Sequence, residues 1–127
     1  MSYLFDTNIF LEILLDQDKK NKAKKIISDN IGELFISDFS LHSIGVILIK
    51  QKKFQIFNNF LSDIIPSATI LSLPKDKYSD LNLFAEKYSL DFDDSYQVII
   101  AKENNLDVLT MDKDFNKVKD EIKIKYL

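Results

Sequence analysis

Aspartates near the ends of predicted strands are the residues of this sequence best suited to chemistry. Asp6 directly follows one predicted strand, and Asp112 follows another with a single residue between. Asp93 and Asp94 stand together where a helix is predicted to begin. The carboxyl ends of parallel strands lie at one edge of a sheet, where such proteins bind ligands, so we expect these carboxylates to converge there.

A cluster of three carboxylates requires a counter-charge. Neighbouring carboxylates repel one another, and burial raises the pKa of each, so the cluster is costly without a cation. Mg²⁺ or Mn²⁺ fits such a site, because both are hard ions that take oxygen ligands and retain water. One or two such ions can activate water and stabilise the charge of a phosphodiester during hydrolysis.

Each of these aspartates also has a purely structural interpretation. An aspartate after a strand is commonly a turn or cap residue, and Asp112 fits that description. Asp93 and Asp94 before an apolar helix are explained equally well by capping and the helix dipole. The spacing alone leaves both interpretations open.

The hydrophobic pattern predicts strands that alternate with helices. The predicted strands cover residues 3–5, 34–36, 68–71 and 108–110, with a closing edge strand around Ile122 and Ile124. The predicted helices cover residues 8–15, 19–28, 39–50 and 54–64, then one opened by Pro74, one from Asp93 or Asp94 to about residue 104, and a short stretch at 115–118. Continuous apolar strands joined by helices predict a parallel sheet buried on both faces. We predict a three-layer α/β/α sandwich with four or five parallel strands, in one domain over residues 1–127.

Composition excludes several classes of protein. The chain has 127 residues, 46% apolar and 29% charged, which are ordinary globular values. It has no cysteine, which excludes disulfides, thiolate catalysis and a cysteine-based zinc site. No apolar run approaches the roughly 20 residues that span a bilayer, and the first residues do not resemble a signal peptide. We therefore expect a cytoplasmic protein that does not enter a membrane.

A cluster of lysines in the second predicted helix has two interpretations. The formal net charge of −3 gives no indication of a globally basic nucleic-acid binder. A local basic patch remains compatible with that charge, and it consists of Lys19, Lys20, Lys22, Lys24 and Lys25. A solvated helix face is the favoured interpretation, and contact with a phosphate backbone is the alternative.

Three segments place the aspartates in recognisable motifs. Residues 4–10 read LFDTNIF, residues 93–101 read DDSYQVIIA, and residues 109–115 read LTMDKDF. Taken together, these motifs resemble the PIN-domain ribonucleases of the VapC toxin type. They occur in the order of that family, and the resemblance extends over the whole chain. It implies a metal-dependent endoribonuclease that binds Mg²⁺ or Mn²⁺ and hydrolyses RNA.

The resemblance assigns roles by position. It implies that Asp6, Asp94 and Asp112 bind the metal and that Asp93 and Asp114 assist them. It also implies that Thr7 and Asn8 support Asp6 through hydrogen bonds, and that Thr110 orients the last motif. Many small PIN domains are toxins of bacterial toxin–antitoxin pairs, so a homodimer and a cognate antitoxin are also implied.

One position departs from the family pattern. A glutamate usually lies early in the helix after the second strand, and here Ser43 occupies that position with His42 beside it. Asp38 is the nearest carboxylate and is expected to point elsewhere. His42, the only histidine, is either a surface residue or a base, substrate contact or metal ligand that replaces the glutamate.

Two alternatives to an active ribonuclease are kept. The missing glutamate favours a degraded PIN-like module that binds RNA or protein. A phosphoryl-accepting α/β domain is the other alternative, because such domains also gather aspartates at strand ends. The apolar helices at 39–50 and 54–64 are expected to form part of a dimer or antitoxin interface. Tyr96 and Gln97 are interpreted as RNA contacts, with core packing the better interpretation for one of them.

Overall fold

The computed structural model describes residues 2–127, which fold around a five-stranded sheet. All neighbouring strands are parallel, and their spatial order is β3-β2-β1-β4-β5. The strands are β1 (Tyr3–Phe5), β2 (Leu34–Ser37), β3 (Ala68–Leu71), β4 (Asp107–Thr110) and β5 (Ile124–Tyr126). The chain builds one half of the sheet outward from β1 and then crosses to build the other half. The prediction of a parallel α/β protein is confirmed.

Helices cover both faces of the sheet. They are α1 (Thr7–Leu14), α2 (Lys20–Asp29), α3 (Asp38–Lys50), α4 (Phe54–Asp63), α5 (Tyr78–Tyr88) and α6 (Phe92–Glu103). Short 3₁₀ segments lie at Ile65–Ser67, Lys75–Lys77 and Lys113–Val118. Among the helices of residues 2–127, none combines the length and apolar character needed to cross a membrane.

Two cores, one on each face, follow from the alternation of side chains along the strands. Leu4 packs with α5, α6 and the last 3₁₀ segment, and Phe5 packs with the helices of the other face. Both residues are fully buried, as expected for parallel strands covered on two sides. The apolar runs of the strands therefore reflect burial on both faces.

Close packing of α3 against α4 depends on a glycine. A Cβ atom at Gly45 would lie 3.2 Å from the ring of Phe57, so only a residue without a side chain fits without displacing that ring. Gly32, in the turn between α2 and β2, has a different role, because its φ of +90° lies in the region that favours glycine.

Several predicted boundaries differ from the structure, most clearly at α6. The prediction that Asp93 or Asp94 caps this helix is wrong, because the helix begins at Phe92 and its N-cap residue is Asp91, with extended backbone (φ −63°, ψ 161°). Both predicted caps lie in the first turn, where their charges still face the positive end of the helix dipole.

Smaller corrections concern the second half of the chain. Pro74 precedes the 3₁₀ segment at Lys75–Lys77 and does not open α5, because one 3₁₀ turn separates them. The stretch predicted at 115–118 is a 3₁₀ helix that begins at Lys113. The closing strand starts at Ile124, while Ile122 packs against the core before it.

Candidate metal centre

Asp6 is fixed at the point where β1 ends and α1 begins. Its backbone N–H donates to the carbonyl of Leu109 at 2.9 Å, which places it level with the end of β4. As the N-cap of α1 it accepts a hydrogen bond from the Thr7 backbone N–H at 2.8 Å. Its residue exposure is 8%, and burial raises the pKa of its carboxyl, an effect that the hydrogen bonds it accepts partly offset.

Two side chains from distant parts of the sequence complete the contacts of this carboxylate. Thr110 Oγ1 donates to Asp6 Oδ2 at 2.7 Å, and Gln97 Nε2 donates to Asp6 Oδ1 at 3.2 Å. The predicted support from Thr7 is thus present through its backbone. Thr110, predicted to orient the last motif, also donates its hydroxyl to Asp6. Three donors around one buried carboxylate favour its ionised form and restrict its rotation.

A polar network links Asp6 to α3. Gln97 Nε2 also donates to Ser40 Oγ at 2.7 Å, and the hydroxyl oxygens of Thr7 and Ser40 lie 2.7 Å apart. Ser40 is fully buried, and its backbone N–H donates to the Ser37 side chain, the N-cap of α3, at 3.0 Å. Sequence reasoning missed Ser40. The only local signal is that Ser40 lies three residues after Ser37, a residue type that caps helices. This spacing indicates a helix start but gives no indication of a contact with Gln97 or Thr7.

Asp94, Asp112 and Asp114 form a cluster of carboxylates. One oxygen from each lies within 4.8 Å of the others. Asp94 is 7% exposed, and burial, followed by the charges of Asp93, Asp6 and Asp112, raises its pKa from 3.8 to about 7. A carboxyl that resists ionisation in this way gains most from a nearby cation.

The loop after β4 holds the last two acids in place. Thr110 Oγ1 accepts a hydrogen bond from the Asp112 backbone N–H at 2.9 Å, so one hydroxyl orients both Asp6 and this loop. Asp112 Oδ1 accepts from the Asp114 backbone N–H at 2.9 Å and caps the last 3₁₀ segment. The capping interpretation of Asp112 is therefore correct, and capping positions its carboxylate within the cluster.

Unpaired amide oxygens lie near these acids. Within residues 2–127, Asn8 Oδ1 and Gln97 Oε1 are buried side-chain atoms that lack a hydrogen-bond partner. Gln97 is 2% exposed and contacts Asp6 through its amide nitrogen, so its free oxygen lies in the same polar region. Burying an oxygen without a partner costs free energy, which a cation or an ordered water would recover.

Comparison with known proteins assigns the family. The family model described as PIN domain matches residues 3–121. The chain belongs to the PIN domain family. This assignment confirms the resemblance of the three motifs and decides against a phosphoryl-accepting domain. Comparison with curated protein sequences gave no match.

Solved structures similar to this PIN domain include a toxin–antitoxin complex. A toxin–antitoxin complex from Klebsiella pneumoniae is 22% identical with a TM-score of 0.72, and the match covers 90% of each chain. FitAcB from Neisseria gonorrhoeae is 19% identical with a TM-score of 0.74, covering 96% of this chain and 95% of that one. VapBC2 from Rickettsia felis, bound to a DNA fragment from its promoter, is 18% identical with a TM-score of 0.72, covering 99% and 98%. These similarities establish the fold.

Ser43, at the position of the family glutamate in α3, and His42 beside it lie on different sides of that helix. Ser43 is half-buried and lies one turn after Ser40, so both face the same side of α3. His42 is exposed and lies about 200° around the helix from Ser40, at about 3.6 residues per turn. Among residues 2–127, it belongs to neither group of acids close enough to share a metal ion. The geometry therefore favours the surface interpretation of His42.

Asp38 is directed away from the cluster, as expected. Its Oδ1 accepts hydrogen bonds from the Tyr96 hydroxyl and from the Phe39 backbone N–H, each at 2.8 Å. The same carboxylate therefore fixes a buried tyrosine and does not replace the missing glutamate. Of the pair Tyr96 and Gln97, both are buried, so neither has the exposed side chain that a direct RNA contact requires.

Asp93 lies at the rim of the centre. It is exposed, and with Asp91 and Asp94 it forms a second group of carboxylates within 4.8 Å. Asp91 and Asp93 belong to one helix start, whereas the cluster of Asp94, Asp112 and Asp114 joins two elements. The cluster of Asp94, Asp112 and Asp114 is therefore the one that tertiary structure assembles from acids distant in the sequence.

The lysine cluster is a solvated face of α2. Lys20 pairs with Asp16, in the turn before the helix, and Lys25 lies 3.1 Å from Asp29 within it, with the members of each pair four positions apart. Exposed pairs of this kind contribute little to stability. The pairs reduce the positive charge that this helix presents, which supports the favoured interpretation of a solvated surface.

Proposed function

We propose that this PIN domain is a Mg²⁺-dependent endoribonuclease of the toxin type. The observation that carries the proposal is the convergence of Asp94, Asp112 and Asp114 beside Asp6 at the carboxyl ends of β1 and β4. The electrostatic coupling of Asp6 and Asp94 to Asp112 supports a single centre. Asp6, Asp94 and Asp112 are the proposed metal ligands, with Asp114 as a fourth acid and Asp93 as an outer contributor.

The donor set fits a hard divalent ion. Asp94, Asp112 and Asp114 each place a carboxylate oxygen within 4.8 Å of the others. Gln97, whose amide nitrogen contacts Asp6, has an unpaired amide oxygen in addition. Mg²⁺ and Mn²⁺ both prefer oxygen ligands of this kind. A bound ion would lower the pKa of a coordinated water and neutralise charge on the phosphodiester.

The protein's own groups would prepare that chemistry. Thr110 and Gln97 hold Asp6 in one rotamer, and Asp112 is fixed through its cap. During hydrolysis, water adds to phosphorus, the P–O bond to a ribose oxygen breaks, and that oxygen takes up a proton. Ligands that folding has already oriented favour this reaction, because they do not have to reorient as charge develops.

The toxin role and its partners are proposed from the similar structures and from one surface. The similar structures include a toxin–antitoxin complex, which supports a cognate antitoxin as partner of this chain. We place its RNA substrate in the cytoplasm. Val46 and Ile49 are 66% and 50% exposed, and their spacing of three places them on one face of α3. Apolar side chains exposed together mark contact surfaces, so we assign this face to self-association into a dimer.

A second function is favoured by the serine at the glutamate position. With Ser43 in place of an acid, the centre carries one negative charge fewer, which weakens attraction for a cation. The alternative is a PIN domain that binds RNA or protein without cleaving RNA. Its distinguishing property would be RNA binding that is unaffected by divalent metal.

Metal titration followed by an RNA cleavage assay tests the proposal. Mg²⁺ or Mn²⁺ at millimolar concentration should raise the melting temperature of the wild type, because a ligand of the folded state stabilises it. The same metal should have little effect on Asp94→Asn. Cleavage of a 5′-labelled RNA should require metal and be lost in Asp94→Asn and Asp6→Asn.

Asp120→Asn is the matched control, since Asp120 is exposed and lies outside both groups of clustered acids among residues 2–127. It should respond to metal and cleave RNA as the wild type does. Stabilisation by metal without cleavage would leave the metal site but overturn the proposed enzyme. Absence of both, with RNA binding unaffected by metal, would favour the binding-module alternative.

A further inference from the structure

Four aromatic rings from α3, α5 and α6 pack together. Tyr96 lies at their centre, with ring centroids 5.8 Å from Phe39, 5.9 Å from Phe92 and 6.2 Å from Tyr78. Phe39 and Phe92 also contact each other, with centroids 5.8 Å apart. The Phe92 and Tyr96 rings are close to parallel, at 25°.

Hydrogen bonds fix the central ring. The Tyr96 hydroxyl accepts from the Leu73 backbone N–H at 3.1 Å and donates to Asp38 Oδ1 at 2.8 Å. Tyr96 is only 4% exposed, so it serves as a rigid base for the outer rings. The orientation of the outer rings is therefore set by folding, before any ligand arrives.

The outer rings are open to solvent. Phe92 is 50% exposed and Tyr78 is 45% exposed, among the large exposed apolar side chains of residues 2–127. Exposed aromatic surface is unfavourable in water, and covering it with another flat ring gains free energy. We define Phe92 and Tyr78, backed by Tyr96 and Phe39, as the aromatic shelf.

The aromatic shelf lies at the same edge of the sheet as the acids. Phe92 precedes Asp94 by two residues in the first turn of α6, and Phe39 precedes Ser40 in the first turn of α3. Two helix starts therefore each contribute a ring to the shelf and a polar group to the centre. Asp91 and Asp93, the sequence neighbours of Phe92, have carboxylate oxygens within 4.8 Å of one from Asp94. A base that adjoins a phosphate at the acids would therefore lie within reach of the Phe92 ring.

We propose that the aromatic shelf stacks an unpaired nucleobase of the RNA next to the phosphate held at the acid cluster. The proposal rests on the proposed function and adds a base-binding surface to it. Bases in a duplex are already stacked, whereas unpaired bases in loops and ends can stack on protein rings. Stacking tolerates different bases, since each has a flat aromatic face.

Charge around the aromatic shelf favours a base over other occupants. Asp91 and Asp93, both exposed, flank Phe92, whereas Tyr78 follows lysines as well as an acid, with Lys75 and Lys77 on either side of Asp76. The two acids beside Phe92 repel a phosphate but have no such effect on an uncharged ring.

Binding of a short oligonucleotide tests the proposal. The probe is a fluorescein-labelled hexaribonucleotide, compared with the same backbone without bases. Anisotropy is measured in Mg²⁺, and gel electrophoresis after each measurement confirms that the strand is intact. Phe92→Leu should weaken binding of the base-containing strand roughly 5- to 100-fold, the range found for loss of one stacked base. The same substitution should leave the baseless strand unaffected.

Three further variants sharpen the result. Phe54→Leu is the matched control, because Phe54 is 59% exposed on α4, and it should bind both strands as the wild type does. Phe92→Trp should retain or tighten binding, since a larger ring still stacks. Tyr78→Leu should weaken binding of the base-containing strand in the same selective way, and a melting curve of this variant confirms that it is folded.

Equal weakening of both strands in Phe92→Leu would overturn the stacking role. Unchanged RNA binding in that variant would also overturn it, and loss of binding to a protein partner would then identify the shelf as a protein interface. Failure of the proposed function has a different signature. If the protein cleaves RNA with metal but does not bind the base-containing strand more tightly than the baseless one, only the stacking role is overturned. If it binds the base-containing strand more tightly but does not cleave RNA, only the proposed enzyme activity is overturned.

Discussion

The amide nitrogen of Gln97 donates a hydrogen bond to Asp6 Oδ1 over 3.2 Å, across 91 positions of the chain. The same nitrogen donates to Ser40 Oγ on α3, the helix in which the family usually carries a glutamate. On the side of α3, where the family usually carries a glutamate, Asp6 therefore meets neutral hydrogen-bond donors. This contact joins β1, α3 and α6 at one point, and its consequences can be measured.

Removal of the Gln97 amide should destabilise the protein. Gln97→Leu keeps most of the side-chain volume but removes a donor to Asp6 and to Ser40, so the free energy of unfolding should fall by about 1–3 kcal/mol. Urea unfolding measures the change. Gln55→Leu, at an exposed position of α4, should alter the free energy of unfolding by less than roughly 0.5 kcal/mol. Equal stability of the two variants would contradict a structural role for the amide.

Stability without metal should fall as pH rises. The pKa of Asp94 is about 7 in the folded protein against an ordinary value of 3.8, so the folded state retains a proton that the unfolded state has lost between these values. The free energy of unfolding should therefore decrease from about pH 4 to about pH 7, by up to roughly 4 kcal/mol, and change little above that. The raised pKa of Asp6 acts in the same direction.

Unfolding in EDTA at about pH 5 and about pH 8 measures this dependence. Asp94→Asn should have a smaller difference between the two pH values and should exceed the wild type in stability at the higher one. Added Mg²⁺ should stabilise the wild type more at the higher pH than at the lower, because metal and proton compete for the carboxylate. An identical pH slope in both proteins would show that Asp94 is not the responsible group.

Substitution of the hydroxyl that orients two acids should weaken metal binding. Thr110→Val has a similar shape but loses the donor to Asp6 at 2.7 Å and the acceptor for the Asp112 N–H at 2.9 Å. We expect metal affinity to fall roughly 10- to 100-fold, as is typical when a group supporting a ligand is removed. Isothermal titration with Mn²⁺ gives the affinity directly. Thr69→Val, exposed on β3, should bind metal as the wild type does.

Charge on the apolar face of α3 should prevent self-association. The double variant Val46→Lys with Ile49→Lys places two cations where the dimer contact is proposed, so sedimentation velocity should show a monomer. Leu83→Lys is the control, because Leu83 is 63% exposed on α5 at a different surface. A wild-type protein that is monomeric at every accessible concentration would remove this interface from the proposal.

The sequence by itself determined the elements and the position of the main acids. Apolar runs predicted the strands, and the aspartates that follow β1 and β4 must lie together once those strands pair in parallel. The order of the three motifs along the chain was enough to indicate the PIN family. These features are local, since they depend on the residue types within a strand or a helix start.

Tertiary structure alone decided which polar groups surround the acids. Gln97 and Ser40 meet only because α6 and α3 pack beside the same strand end, and no pattern within either helix specifies that contact. Asp38 turns to Tyr96 for the same reason. The raised pKa of Asp94 depends on burial and on charges from other elements, which sequence spacing does not contain.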